Sequence, residues 1–280
     1  MGEAPPSSST CPRTPAGAPE THWRLSVTRF PVRSGGSKGV PMEFSVMTYN
    51  IALGLESDLE TVAGIIGEAD VVAVQEVGNE WIEGDGGNQP QLLSRLSGLS
   101  HFRFASALTV RAGTNPPKLR PAPTADDKPG FGIALLSRFP LGPWTRHRLP
   151  KRQDLQRCIL SGTVVTPKGP VSVLVTHLSD NPIDRGAQVP ALLRHAQTQA
   201  APLMVLGDLN ADVDDEDLSQ LSRFLRNAAG DDPLPSFPTE APERALDHIY
   251  VSKEIAVVAP AMPLPFTGSD HLPVMAKLSL

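Results

Sequence analysis

The sequence predicts an α/β (α+β) protein in which two β-sheets pack together and carry helices on their outer faces. Three observations predict it. Nine apolar runs of strand length stand against only four helical patterns, too sheet-rich for a simple doubly wound fold. The chain has 280 residues, 40% of them hydrophobic and 20% charged, which is ordinary globular material with enough volume for one large core. Single polar residues also stand where apolar runs end, and several such ends side by side make a ready site.

Residues 1–41 differ from the rest. They hold seven prolines, the tract Ser7-Ser8-Ser9-Thr10 and the run Ser34-Gly35-Gly36-Ser37, with no sustained apolar period. Such a segment buries too little surface to offset its ordering entropy, so a flexible tail is expected, with residues 21–32 the stretch able to add an edge strand. The tail carries a net +3, leaving −8 on the domain expected over residues 42–280.

Within that domain, strands are expected at residues 44–50, 71–77, 102–108, 132–137, 159–166, 171–177, 203–207, 246–251 and 272–278, from their apolar runs and bounding turn residues. The first helix starts at Ser57-Asp58-Leu59-Glu60, which reads as a capping box, and Leu59, Val62, Ile65 and Ile66 form one face behind it. Further helices are expected at 91–96, 189–199 and 216–226, the last started by Asp214 or Asp215 as cap and first-turn acid. No internal repeat at a fixed period occurs.

Composition closes several doors. The two cysteines, Cys11 and Cys158, cannot build a disulfide framework or a cysteine zinc site, and Cys158 lies in an apolar run that predicts a buried, inert thiol. No run approaches the ~20 apolar residues of a membrane span, and the N-terminus lacks the apolar stretch of a secretory signal. A soluble, cytoplasmic protein without stable membrane insertion is expected. Asp208-Leu209-Asn210-Ala211-Asp212 begins like a calcium loop, but Val213 and Ser219 stand where that loop needs Gly and Glu. His177, His195, His248 and His271 lack metal-motif spacing, and there is no Gly-rich phosphate loop of the Walker kind.

What remains is the placing of polar residues. Asn50 ends one strand, Glu76 interrupts the end of Val-Val-Ala-Val-Gln-Glu-Val, His177 ends a third, and Asp208 with Asn210 follows Met204-Val205-Leu206-Gly207. Each has an ordinary reading when taken singly: a strand-end surface residue for Glu76, a satisfied core histidine for His177, a turn or helix cap for Asp208, a turn for Asp270-His271. Their joint occurrence is the signal, because a carboxylate beside an apolar strand is costly unless paired or bound to a metal.

In these stretches the sequence resembles the endonuclease/exonuclease/phosphatase superfamily. The matching segments are Met47-Thr48-Tyr49-Asn50-Ile51, Val74-Gln75-Glu76-Val77, Ala134-Leu135-Leu136-Ser137-Arg138-Phe139-Pro140-Leu141, Thr176-His177-Leu178, Gly207-Asp208-Leu209-Asn210-Ala211, Leu246-Asp247-His248-Ile249-Tyr250-Val251-Ser252 and Ser269-Asp270-His271-Leu272-Pro273-Val274. They follow the family's order and cover nearly everything after Met42. The resemblance implies a four-layer α/β/β/α sandwich of two packed mixed sheets, deoxyribonuclease I-like, with the site at one end of the paired sheets.

The chemistry so implied is Mg²⁺- or Mn²⁺-assisted hydrolysis of a phosphoester. By resemblance Asn50, Glu76 and Asp270 would bind the metal, Asp208 would orient and deprotonate the attacking water, and Asn210 would contact the phosphate. His271, held by Asp247, would stabilise transition-state charge. His177 would contact the phosphate or protonate the leaving oxygen, with Asp126 or Asp127 as candidates for its acidic partner. The expected activity is that of a phosphodiesterase of the endonuclease or exonuclease type, a monomer acting on nucleic acid or another phosphoester. The alternatives are a phosphatase or sphingomyelinase-type enzyme on a small phosphoester or lipid headgroup, and a catalytically silent phosphate-binding homologue. The Pro-rich loops 84–90 and 114–129 lie where substrate selection is expected.

Overall fold

The computed structural model describes residues 41–280 apart from 82, 84–86, 112, 114–115 and 267. The tail and the edge strand expected within residues 1–40 lie outside the described residues. In chain order the strands are β1 (Glu43–Asn50), β2 (Val71–Asn79), β3 (His101–Arg111), β4 (Lys118–Pro121), β5 (Gly130–Ser137), β6 (Thr145–Arg148) and β7 (Cys158–Thr166). They continue as β8 (Gly169–His177), β9 (Leu203–Asp208), β10 (Arg226–Asn227), β11 (Asp247–Val251), β12 (Ala256–Pro263) and β13 (Val274–Ser279). Four helices join them: α1 (Leu59–Ile66), α2 (Gln89–Ser97), α3 (Pro182–Gln197) and α4 (Ser219–Phe224).

Two mixed sheets result, ordered β12-β13-β1-β2-β5-β3-β4 and β10-β11-β9-β8-β7-β6. Period-two alternation along β1 sends Phe44 and Val46 toward the facing sheet and Met47 and Tyr49 toward the helices. The inter-sheet core joins Val46, Ala73 and Leu135 of the first sheet to Leu160, Val173 and Leu206 of the second, all fully buried. Outer cores seat Val62 and Ile66 of α1 on the first sheet, and Leu192 of α3 with Leu221 of α4 on the second. The expected layering is therefore found. Truncating Leu135 or Leu206 to Ala would cost about 3 kcal/mol through lost burial and the cavity left behind.

The structure corrects several local expectations. The cap of α1 is Asp58 rather than Ser57, its carboxylate accepting the Thr61 N–H at 2.7 Å. Helix α3 starts at Pro182, well before 189, because Asn181 caps it through the Ile183 N–H and Pro182 fits the first turn, where its missing N–H costs nothing. Residues 216–226 split into a 3-10 turn, Glu216–Leu218, then α4 and β10, and Asp215 makes no side-chain cap bond there. The last strand begins at Val274, leaving Asp270 and His271 in the loop before it. Strands β4, β6, β10 and β12 were not expected. Each lies at or near a sheet edge, where little burial is needed and the apolar signal is weak.

Candidate active site

Parallel pairing builds the site. In the first sheet β1 and β2 run together, with Asn50 opposite Gln75 at their C-terminal ends. In the second, β8 and β9 run together and end with His177 opposite Asp208, while antiparallel β11 sets Asp247 on the other side of Asp208. Gly207, opposite Thr176, permits that closeness, since a Cβ there would sit 2.0 Å from the Thr176 carbonyl oxygen. Glu76 reaches the site through a β-bulge: pairing with β5 jumps from Gln75 to Val77, and Glu76 takes φ 51°. Without the bulge a Glu in that run would follow the strand's alternation.

Across the gap between the sheets, Asn50 Nδ2 donates to Asp208 Oδ2 at 3.1 Å and lies 3.4 Å from Glu76 Oε1. Asn50 Oδ1 accepts the Ala52 N–H at 3.1 Å, which fixes which end of the amide faces the carboxylates. The same Asp208 Oδ2 stands 3.3 Å from His177 Nε2 and 3.7 Å from His271 Nε2. Its Oδ1 accepts the Asn210 N–H at 2.9 Å. His271 Nδ1 bonds Asp247 Oδ2 at 2.8 Å, and Ser236 Oγ donates to that same oxygen at 2.7 Å. Phe237 backs the His271 ring, centroids 4.7 Å apart. Asp270 sits beside it, its backbone carbonyl accepting the Thr239 N–H at 2.9 Å.

Asn210 Nδ2 donates to the Leu178 carbonyl at 2.9 Å, and its other N–H points at His177 Nε2, 3.1 Å away. The same Nε2 stands 3.3 Å from Asp208 Oδ2, so it lies between an amide donor and a carboxylate acceptor. Burial holds the His177 imidazole well below its usual range, with Arg157 and His271 adding like-charge pressure, so the ring is neutral. A neutral ring suits hydrogen bonding to a phosphate and disfavours the general-acid role.

Burial would also lower His271, but the Asp247 carboxylate outweighs it and, with Asp208 and Asp270, sets the imidazole at about 10. His271 is a cation at neutral pH. Burial and then the Asp247 charge push Asp208 up to about 7, against the pull of His271 and Asn50. Burial raises Glu76 too, with Asp270 adding repulsion while Asn50 and Arg157 oppose.

Two groups of acids follow. Asp208, Asp247 and His271 bring one ligand atom each within 4.8 Å of one another, but His271 Nδ1 is occupied by Asp247 and the ring is charged. That trio can relay a proton and charge. Glu76 and Asp270 repel one another beside Asn50, and their carboxylate oxygens are donors that fit a hard divalent cation.

All eight residues expected from the sequence thus gather at one end of the sheets. The guessed partners of His177 do not. Asp127 instead accepts from Thr124 N and Oγ1 at 3.0 and 2.6 Å. Arg157 occupies the place, with Nη1 3.0 Å from His177 Nδ1 and Nη2 3.7 Å from Asp154, which in turn accepts from Ser179 Oγ at 2.5 Å. Arg157 stands immediately before an apolar strand, the mirror image of the strand-end signal that marked His177.

Comparison with known proteins supports a single family. Residues 47–271 match the model of the Endonuclease/Exonuclease/phosphatase family. An endonuclease/exonuclease/phosphatase from Beutenbergia cavernae is similar in structure at 26% identity and TM-score 0.66, covering 85% of this chain and 72% of that one. The human Nocturnin catalytic domain with bound sulfate aligns at 22% identity and TM-score 0.58, over 84% of this chain and 93% of that one. A Bacteroides thetaiotaomicron mannosyl-6-phosphatase aligns at 16% identity and TM-score 0.61, over 84% and 99%. A search of curated proteins found no match. Among the described residues no helix is long and apolar enough to cross a membrane.

Proposed function

The chain belongs to the endonuclease/exonuclease/phosphatase family of metal-dependent phosphoester hydrolases, and from that premise we propose that it is a Mg²⁺- or Mn²⁺-dependent phosphodiesterase acting on nucleic acid. The observation that carries the reading is the environment of Asp208 Oδ2, within 3.7 Å of Asn50, His177 and His271 at once. A carboxyl raised to about 7 is matched to take a proton from water near neutrality.

Asn50, Glu76 and Asp270 would hold the metal, which when bound supplies Lewis-acid stabilisation of charge on the phosphoryl oxygens. Asp208 orients the attacking water and accepts its proton. His271, charged and held by Asp247, faces the developing negative charge. Asn210 and His177 donate to or flank the phosphate, and Arg157 adds a second fixed cation beside His177. These groups are preorganised by the strand ends that carry them, so little reorganisation accompanies the reaction.

A phosphomonoesterase is the second reading, favoured by the −8 on residues 42–280 and by the likeness to a sugar phosphatase. Purified protein with Mg²⁺ or Mn²⁺ is to be assayed on a labelled oligonucleotide, bis-p-nitrophenyl phosphate, a sugar phosphate and sphingomyelin, with Asp208→Asn as control. Cleavage of both phosphodiesters supports the first reading. Release of phosphate from the sugar alone replaces it with the second, and no turnover above the control leaves only a phosphate-binding protein.

A further inference from the structure

Two buried glutamines repeat one pattern. Gln89 opens α2, where its Oε1 accepts the Gly78 N–H at 2.8 Å and its Nε2 donates to the Leu53 carbonyl at 2.7 Å. Gln188, inside α3, accepts the Ser179 N–H on Oε1 at 2.8 Å and donates from Nε2 to the Pro150 carbonyl at 3.1 Å. Each glutamine therefore grips the chain two residues beyond a side chain of the site, Glu76 in the first sheet and His177 in the second.

The two grips differ in what they restrain. Gln89 joins two segments of strained backbone: Ala52 and Leu53 take φ 44° and 58°, Glu76 takes φ 51°, and none of the three is glycine. Such conformations persist only where the surroundings over-determine them. Before the strained turn, the Ile51 N–H bonds the Gln75 carbonyl at 3.1 Å. Beyond it, the link from the Leu53 turn to the end of β2 is the Gln89 amide. The fit is close, since a Cβ at Gly78 would lie 2.8 Å from Trp81 Cβ and 3.3 Å from Gln89 Oε1. Gln89 is itself anchored: Asn88 caps α2 through the Gln91 N–H at 3.0 Å and bridges to Asn79, and Leu93 packs in the outer core. Ser179 and Pro150, the residues held by Gln188, are not among those with positive φ.

We propose that Gln89 is a positioning residue of the metal site. Its amide holds the turn after Asn50 and the bulge at Glu76 in the relative placement that lets both side chains meet one divalent cation. The proposal rests on the assignment of Asn50, Glu76 and Asp270 to that cation. Gln89 touches neither the cation's place nor a reacting group; it acts through the backbone that carries Asn50 and Glu76.

The test is isothermal titration of the full chain with Mn²⁺, paired with the Tm of each metal-free protein. Gln89→Met keeps the length of the side chain and loses both hydrogen bonds, and its Kd for Mn²⁺ is expected to rise at least about tenfold, the scale for losing an outer partner of a metal ligand. Gln188→Met loses the same two kinds of bond at a buried position, so its Tm should also fall while its Mn²⁺ affinity stays at the wild-type value. Glu76→Gln should lose most of the binding, which identifies the titrated site. Wild-type affinity in Gln89→Met, or equal weakening in Gln188→Met, overturns the positioning role and leaves the metal assignment standing. A wild type that takes no Mn²⁺, or a Glu76→Gln protein that takes it as well as wild type, overturns the metal assignment and the positioning role with it. Should Gln89→Met not fold, Gln89→Asn, too short to reach both partners, carries the same expectation.

Discussion

Arg157 Nη1 lies 3.0 Å from Nδ1 and 3.3 Å from Nε2 of the same His177 ring. A donor that near both nitrogens within the ring plane would collide with Cε1, so the guanidinium lies over the face. It cannot then be the in-plane partner that an acid would be. It presses the ring toward the neutral form while bringing a positive charge beside the proposed phosphate position.

Replacing Arg157 by Ala should therefore do two separable things. The His177 pKa should rise toward its ordinary value, because one of the two cations holding it down is gone, as read by NMR of the ring nitrogens. The rate constant kcat/KM should fall about 100-fold, the usual scale for removing one donor to transition-state charge. Lys at the position should restore part of the rate. A variant that moves neither quantity would remove Arg157 from the site's chemistry.

Asp247→Asn tests the second imidazole. Without the carboxylate, burial regains control of His271 and its pKa should drop from about 10 toward or below 6.5. The charged form carries the function, so activity is kept below the His271 pKa and lost as pH rises through it. In wild type the alkaline limb of the pH–rate profile should lie near 10, and the acid limb should reflect deprotonation of Asp208 at about 7. In Asp247→Asn the alkaline limb should move into or below the neutral range, with kcat reduced at least ~100-fold. An unmoved alkaline limb would mean that another group sets it.

Most of the layered fold was legible because buried strands leave continuous apolar runs, and the site was legible because polar residues end those runs. What escaped notice had physical reasons. β6 reads Thr-Arg-His-Arg, and its arginines reach backbone carbonyls rather than any apolar surface. β12 carries Pro260 and Pro263 on an edge strand, where a missing N–H is tolerated. Helix α3 contains Gly186 and Pro190, both of which read as breakers. Within the site, the oddity of Glu76 was visible but the bulge that turns it was not, since register is a property of β2 and β5 together. The pairing of Arg157 with His177 crosses between neighbouring strands and has no local signature.

Metal binding should be measurable without turnover. Two carboxylates that repel each other when empty gain stability from a cation, so Mn²⁺ at about 100 times its Kd should stabilise the fold by about 2.7 kcal/mol. For a domain of this size that is a rise in Tm of several degrees, roughly 5 °C. Glu76→Gln and Asp270→Asn should each abolish most of the shift in differential scanning fluorimetry. Leu119→Ala, on the exposed edge strand β4, should keep it. A full shift in both acid variants would place the cation elsewhere, with the relay trio of Asp208, Asp247 and His271 the next candidate.

The loop that delivers Arg157 hangs on a buried acid outside the reaction. Asp184, in the first turn of α3, accepts the backbone N–H groups of Arg152, Gln153 and Asp154, the latter two at 2.9 and 2.6 Å. Burial alone would raise its pKa, but the three donors outweigh that and hold it below the usual carboxylate value of 3.8. The sign follows: a depressed folded-state pKa gives stability that is present above the unfolded value and is lost as pH falls through the folded one. Asp184→Ala should thus cost about 2 kcal/mol at about pH 7, from the charge-assisted bonds lost. It should also release Asp154 and Arg157, lowering kcat/KM, although Asp184 has no contact with the reacting groups. Urea denaturation of wild type and variant at about pH 7 and about pH 2.5 checks the linkage, because the stability gap between them should shrink at acid pH. A gap of the same size at both values would show that Asp184 acts by packing rather than by its charge.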